Sequence, residues 1–341
     1  MHRPVSAAGL AALLTLGCVV PAHAATATTV LPLAPGSTWD HVKGLNDSGV
    51  LVGHSEGSRD AVRWAADGTA TRLGKLPGDF SGMANAVNNA GVAVGTSQGV
   101  NTGLVAVRWD ESGQISALPA FSAEPHSTSA NGVNDDGVIV GHATERFSGL
   151  STAVRWNTDG TITTLSHLPG HDQGSARDIS AGGVVVGSSD RLNEFDRTHA
   201  TLWQADGTAV ALPALPGGRN SVAVAINDAG TVVVGWAETA GYYQHAVKWS
   251  LDGPAVTVTD LGTVGGLFSS AKAVNDAGVV VGESTAAPGG AYLAVRWQPG
   301  AGAELLPGTG TITKCIEAGA INDAGSVGGG CRRFAARWDE V

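Results

Sequence analysis

Apolar and polar positions alternate in short bursts along this chain, and the bursts recur. Small and polar residues alternate up to an Ala-Val or similar pair, Asn-Asp-x-Gly follows, and a valine run closes on glycine, as in "AINDAGTVVVG" from Ala225 to Gly235. Period-two alternation is the pattern of a strand, and a polar, glycine-bearing turn between two such runs makes a hairpin. A variable stretch then leads to a third run ending in Arg-Trp or a relative of it. An Asp-Gly type of turn gives a fourth, "TxTxL", closed by Leu-Pro-Gly. No segment carries a helical apolar period of useful length.

The turn asparagine stands at Asn46, Asn88, Asn134, Asn227, Asn275 and Asn322, with Ser180 in the remaining copy, at steps of 42, 46, 46, 47, 48 and 47 residues. Trp64, Trp109, Trp156, Trp203, Trp249, Trp297 and Trp338 keep the same rhythm. Four short strands repeated seven times predict an all-β fold, a seven-bladed β-propeller with four antiparallel strands per blade. A rod would need polar caps, whereas a ring must join its last unit to its first. The seventh copy ends three residues after Trp338 without a fourth strand, while "TATTVLPLAPG" near the N-terminus resembles the fourth-strand phrase "TITTLSHLPG". An N-terminal strand is therefore expected to complete the closing blade beside three C-terminal ones.

The phrases "AINDAGTVVVG", "HAVKW", "HATLW" and the "LPGG" linkers resemble those of the HAF-repeat family, bacterial extracellular repeat proteins named for a His-Ala-Phe phrase. The resemblance spans all seven copies. It implies export and a propeller, and it brings no activity, substrate or catalytic residues. The name-giving histidine stands only at His199 and His245, and the phenylalanine is replaced by Thr201 or Val247.

Residues 1–24 read as an export leader: Arg3, an apolar run from Ala7 to Val20, and Ala22-His23-Ala24 as a cleavage pattern, with the cut after Ala24. The apolar run is too short to span a bilayer as a helix. Cys18 belongs to this leader, and Thr15-Leu16-Gly17 before it fits a lipid-anchor site poorly. The expected product, residues 25–341, is a single propeller domain, monomeric, secreted or periplasmic. It carries 19 Lys and Arg against 30 Asp and Glu, a balance that argues against a nucleic-acid partner. Its two cysteines, Cys315 and Cys331, flank the last hairpin and are expected to form a disulfide.

Candidate chemistry is sparse. Asn-Asp-x-Gly offers too few oxygen ligands for calcium and reads as turn chemistry. The seven rhythmic tryptophans read as core, whereas Trp39 and Trp236 stand off that rhythm and could meet a ligand. Function is expected where copies differ. Just after the second strand come His54, Thr96, His142, Ser188, Trp236 and Glu283, and neighbouring loops add Phe147, Phe195, Tyr242, Tyr243 and Tyr292. Three residues before each turn position stand Lys43, Asn85, Asn131, Arg177, Val224, Lys272 and Gly319. This ring would surround the channel if the first strand is innermost, and its three cations would favour an anionic group. The reading is a propeller that binds a carbohydrate or protein ligand on its variable face, with no metal or other cofactor. Two alternatives stand beside it, a carbohydrate-active enzyme using His54, His142 and Glu283 at the channel mouth, and a structural component of a surface or matrix.

Overall fold

The computed structural model describes residues 26–100, 102–121, 126–145, 147–191, 198–308 and 315–340. The expected leader, its cleavage point, Cys18 and Phe195 lie outside the described residues. Among the described residues no helix is long and apolar enough to cross a membrane.

The chain builds seven four-stranded antiparallel sheets, and in six of them the strands follow one another from the inside outwards. Blades 1 to 6 cover residues 40–72, 81–117, 126–164, 173–211, 221–262 and 269–305. Blade 7 joins Glu317–Ile321, Val327–Cys331 and Phe334–Glu340 to the N-terminal strand Thr26–Val30, which pairs from Thr26↔Glu340 to Val30↔Ala336. The expected closure is the observed one. It spares the last sheet an open edge on its outermost C-terminal strand. Cys315 and Cys331 form a disulfide, across the open end of the hairpin between the first two strands of blade 7.

Each gap between blades holds its own apolar wedge. Between blades 1 and 2, for example, Val52, Ala61 and Leu73 pack against Ala84, Val87, Val107 and Trp109. The rhythmic tryptophans are all buried. Six of them also reach backwards with the indole N–H to the linker leaving the preceding sheet: Trp64 donates to the Pro32 carbonyl, Trp109 to Gly74, Trp156 to Pro119, Trp203 to Ser166, Trp249 to Pro213 and Trp338 to Pro307. A buried indole needs such a partner. Each of these tryptophans therefore fills one wedge and fastens two blades.

The first strand of every blade carries a bulge at one repeated position: Lys43, Asn85, Asn131, Arg177, Val224, Lys272 and Gly319 are each skipped in the pairing with the second strand. A bulge leaves one residue unpaired and re-aims its side chain. The glycine of "VVVG" is what admits it. A Cβ on Gly53 would lie 1.7 Å from the His41 carbonyl oxygen, and one on Gly235 2.0 Å from that of Val222.

Candidate functional site

The seven first strands surround a central channel with a cavity of about 620 Å³, and all seven bulge residues line it. The channel has two ends of different character. One is made by the Asn-Asp-x-Gly turns, the other by the far ends of the first hairpins, from which the variable loops leave.

At the turn end the asparagines do more than close their own hairpins. Asn46 accepts the Val50 amide on Oδ1, as a turn residue should, while its Nδ2 donates to the Asn88 carbonyl of the next blade. Asn88 donates likewise to Asn134, Asn134 to Ser180, Asn275 to Asn322, and Asn322 back to Asn46 across the closure. A second tier comes from the residues that follow. The Asp47 amide donates to Asn89, Asn89 to Asp135, Asp276 to Asp323 and Asp323 to Asp47. This girdle gathers carboxylates: burial first, then Asp135, Asp276, Asp323 and Asp47, push Asp228 up to about 6. Asp178, whose oxygens accept the Ile179 and Ile226 amides, is pushed up to about 7, chiefly by burial.

The other end is built at two levels. At the bulge level, Asn85 and Asn131 donate to the Ala130 and Ala176 carbonyls of the next blades. Lys43 lies 3.6 Å from Glu317 and Lys272 lies 3.0 Å from Glu283. Arg177 feels the Asp190 carboxylate, while burial lowers its pKa. The positive throat expected from sequence is therefore offset, because carboxylates on neighbouring strands face each cation.

One level further out, the second-strand residues come in. His54, Thr96, His142, Ser188, Trp236 and Glu283 were expected just after that strand, where the loops begin. They lie within it, opposite His41, Met83, Ser129, Ser175, Val222 and Ser270. The physical reason is that the hairpin ladder continues past the bulge, so the residue after the close-approach glycine is still paired. His142 sits at a small polar hub. Its Nδ1 lies 3.3 Å from Asn131 Nδ2 and 3.3 Å from Ser175 Oγ, and Ser129 donates to Asn131 Oδ1. Burial, then Arg177, lowers the His142 pKa, which keeps the imidazole neutral. Trp236, Gln244, Ser175 and Ser270 complete this part of the wall.

Of the three residues suggested as a catalytic set, His54, His142 and Glu283, only His142 lines the channel cavity. They stand in blades 1, 3 and 6 with separate partners: His41 and Glu56, Asn131 and Ser175, and Lys272. Tyr243 is off the channel wall and packs edge-on against Phe268, with ring centres 5.8 Å apart. Tyr242 lies under the Arg219 guanidinium, 5.0 Å from it, and Phe147 is 88% exposed, so Tyr242, Tyr243 and Phe147 form no common platform. Trp39, His41 and His54 instead form a row, with ring centres 5.2 and 5.0 Å apart. Sequence reading missed His41. It faces His54 across the first hairpin of blade 1, and its alternation in phase with Trp39 was the available signal.

Compared by sequence, the chain matches no family model and no curated protein. Compared by fold, it is similar to a catalytically inactive virginiamycin B lyase from Staphylococcus aureus with quinupristin, at 13% identity and a TM-score of 0.59 over 93% of this chain and 100% of that one. Streptogramin B lyase follows at 11% identity and 0.58, covering 92% and 97%. YCF48 bound to D1 peptide gives 12% identity and 0.52, covering 92% and 94%. At these identities the likeness is one of fold alone.

Proposed function

We propose that this protein is an exported binding propeller that takes an oligosaccharide at the variable-face mouth of its channel. One observation carries the reading: the channel cavity of about 620 Å³, which reaches from the turn end, is lined toward the variable face by His142, Ser175, Lys272, Gln244 and Trp236, which no repeated pattern requires. Sites for small ligands have volumes of this order, with a few convergent polar groups. Amides, hydroxyls and one indole suit a sugar ring, whose edges are polar and whose face is apolar. The opposed charges of Lys272 and Glu283, and of Lys43 and Glu317, favour a neutral or mixed-charge sugar over a strongly anionic one. Export follows from the leader pattern, and the Cys315–Cys331 bridge fits an oxidising compartment. Kinship with the HAF-repeat proteins is part of the same proposal.

A second reading keeps an enzyme in view. His142 is a neutral imidazole beside Asn131, Ser175 and Arg177, a setting in which a histidine can take a proton. Two proteins of similar fold are lyases by name. An array of oligosaccharides and peptides probed with the mature protein separates the readings. Retention of a defined sugar set supports binding, release of cleaved sugar supports the enzyme, and retention of peptides alone contradicts both.

A further inference from the structure

Blade 1 carries, at the level of His142 in blade 3, a cluster of three side chains of which only His54 was singled out from the sequence. His41 and His54 are direct partners across the first hairpin, and Glu56 follows just past the end of the second strand, which closes at Ser55. The Glu56 amide donates to the Trp39 carbonyl at 2.8 Å, which fixes the end of this hairpin. One donor atom from each of His41, His54 and Glu56 falls within 4.8 Å of the others. Among the described residues, no other three His, Cys, Asp or Glu side chains meet so closely. We propose that His41, His54 and Glu56 bind a divalent transition metal, zinc by the chemistry of the donors, at the rim of the channel.

Three features support this. The first is spacing. His54 Nε2 lies 3.8 Å from Glu56 Oε1, outside hydrogen-bond reach and close to the separation of two ligands on one ion. Zinc takes nitrogen and oxygen donors at about 2.1 Å in a tetrahedral arrangement, which sets neighbouring donors roughly 3.4 Å apart and two ligating imidazole centres about 5 Å apart. The observed ring centres are 5.0 Å apart with the planes stacked 14° from parallel, so the rings must turn for both to aim at one ion. Small side-chain rotations on a rigid hairpin complete the closure.

The second is hydrogen bonding. His54 Nδ1 is buried and has no hydrogen-bond partner. An imidazole committed to a fold normally spends its buried nitrogen on a carbonyl or hydroxyl. The ring is thus not committed to a structural bond through Nδ1, and Nε2, the nitrogen that faces Glu56, is the one left to ligate.

The third is the donor set. Two imidazoles and one carboxylate are the ligands of a zinc site that keeps its fourth position open. Burial holds both rings neutral, the form that ligates. Glu317 and Lys43, which face each other, both act on the two histidines, and at His54 the lysine charge outweighs that of Glu317, so the negative potential there comes chiefly from Glu56. The corresponding pairs in the other blades are Met83 with Thr96, Ser129 with His142, Ser175 with Ser188, Val222 with Trp236, Ser270 with Glu283 and Glu317 with Gly330. The paired histidines are thus not demanded by the repeat.

The test is calorimetric titration of the chelator-treated mature protein with Zn²⁺, repeated with Co²⁺ to read the ligand field by absorption. The expected result is one equivalent bound with a dissociation constant below about 1 μM and a four- or five-coordinate Co²⁺ spectrum. His41→Ala and His54→Ala should each weaken binding at least about 100-fold, and Glu56→Gln about 10-fold. Glu56 is exposed, so its variant folds and reports even if a histidine variant does not. No stoichiometric binding by the unaltered protein, or binding that Glu56→Gln and a folded His54→Ala leave unchanged, would overturn the proposal. The second outcome would move the metal elsewhere, for example to His171 and His199, whose ring nitrogens lie 3.0 Å apart.

Discussion

The two ends of the channel are made by the same seven hairpins and have opposite relations to the repeat. At the turn end each copy offers nearly the same side chains, and these spend their polar atoms on the next blade: Asn46 on Asn88, Asn88 on Asn134, Asn322 on Asn46. At the mouth the register is just as strict, yet the residues placed in it differ from blade to blade, and some polar atoms stay open. His54 Nδ1 is without a partner, and His142 is shared between two weak contacts of 3.3 Å. Strict register with uniform residues makes a fastening, whereas strict register with varied residues makes a binding surface on a rigid frame.

The contrast is most directly broken at the girdle. Asn88 is buried, holds its own turn through the Val92 amide and fastens the next blade through the Asn134 carbonyl. Replacing it with alanine removes both bonds and strands buried backbone groups, at a cost of roughly 2–4 kcal/mol. Denaturant unfolding of Asn88→Ala should show that loss while the variable face keeps its ligand. A loss below about 0.5 kcal/mol would mean that the girdle is not a fastening.

A smaller effect sharpens the same end electrostatically. Asp178 has its pKa raised from 3.8 to about 7 in the folded protein. As pH rises from about 4 to 7, the unfolded chain gives up this proton while the folded chain keeps it, so the group's contribution to stability is lost across that window. A shift of this size corresponds to about 4 kcal/mol at most, and access to the channel reduces it to roughly 1–2 kcal/mol. Histidines with lowered pKa, such as His54 and His142, act in the opposite sense on acidification, because the unfolded chain protonates them first. The difference between Asp178→Asn and the unaltered protein removes their part. That difference should favour the variant by roughly 1–2 kcal/mol more at pH 8 than at pH 5, measured by urea unfolding at both. A flat difference would show that Asp178 is ionised at both.

Blade number, strand order and the shared closing blade were legible because a repeat supplies register. Once Asn46 and its counterparts are aligned, every other position follows by counting. The bulge ring was found in this way, with Lys43, Asn85, Asn131, Arg177 and Lys272 all on the channel wall. What counting within one copy does not reveal is which atoms of the next copy lie opposite. Hence the turn asparagines read as local, and their Nδ2 bonds to the next blade went unseen. The cations Lys43 and Lys272 counted toward a positive ring, although Glu317 and Glu283 face them. His54, His142 and Glu283 were grouped because they hold equivalent positions, but equivalence in a ring puts residues in different blades. His41 was passed over because it occurs in one copy alone.

The central claim is that binding lives where the copies differ and stability where they agree. It is tested most directly by titrating the best oligosaccharide from the array against two variants side by side, Trp236→Ala at the mouth and Asn88→Ala at the girdle. The account predicts that Trp236→Ala, which removes a half-buried indole from the wall, weakens binding at least about 10-fold and costs no more than about 1–2 kcal/mol of stability. Asn88→Ala should lose stability and bind within about 3-fold of the unaltered protein. Unchanged affinity in Trp236→Ala together with a collapse of affinity in a folded Asn88→Ala would contradict it, and would put the site among the turns.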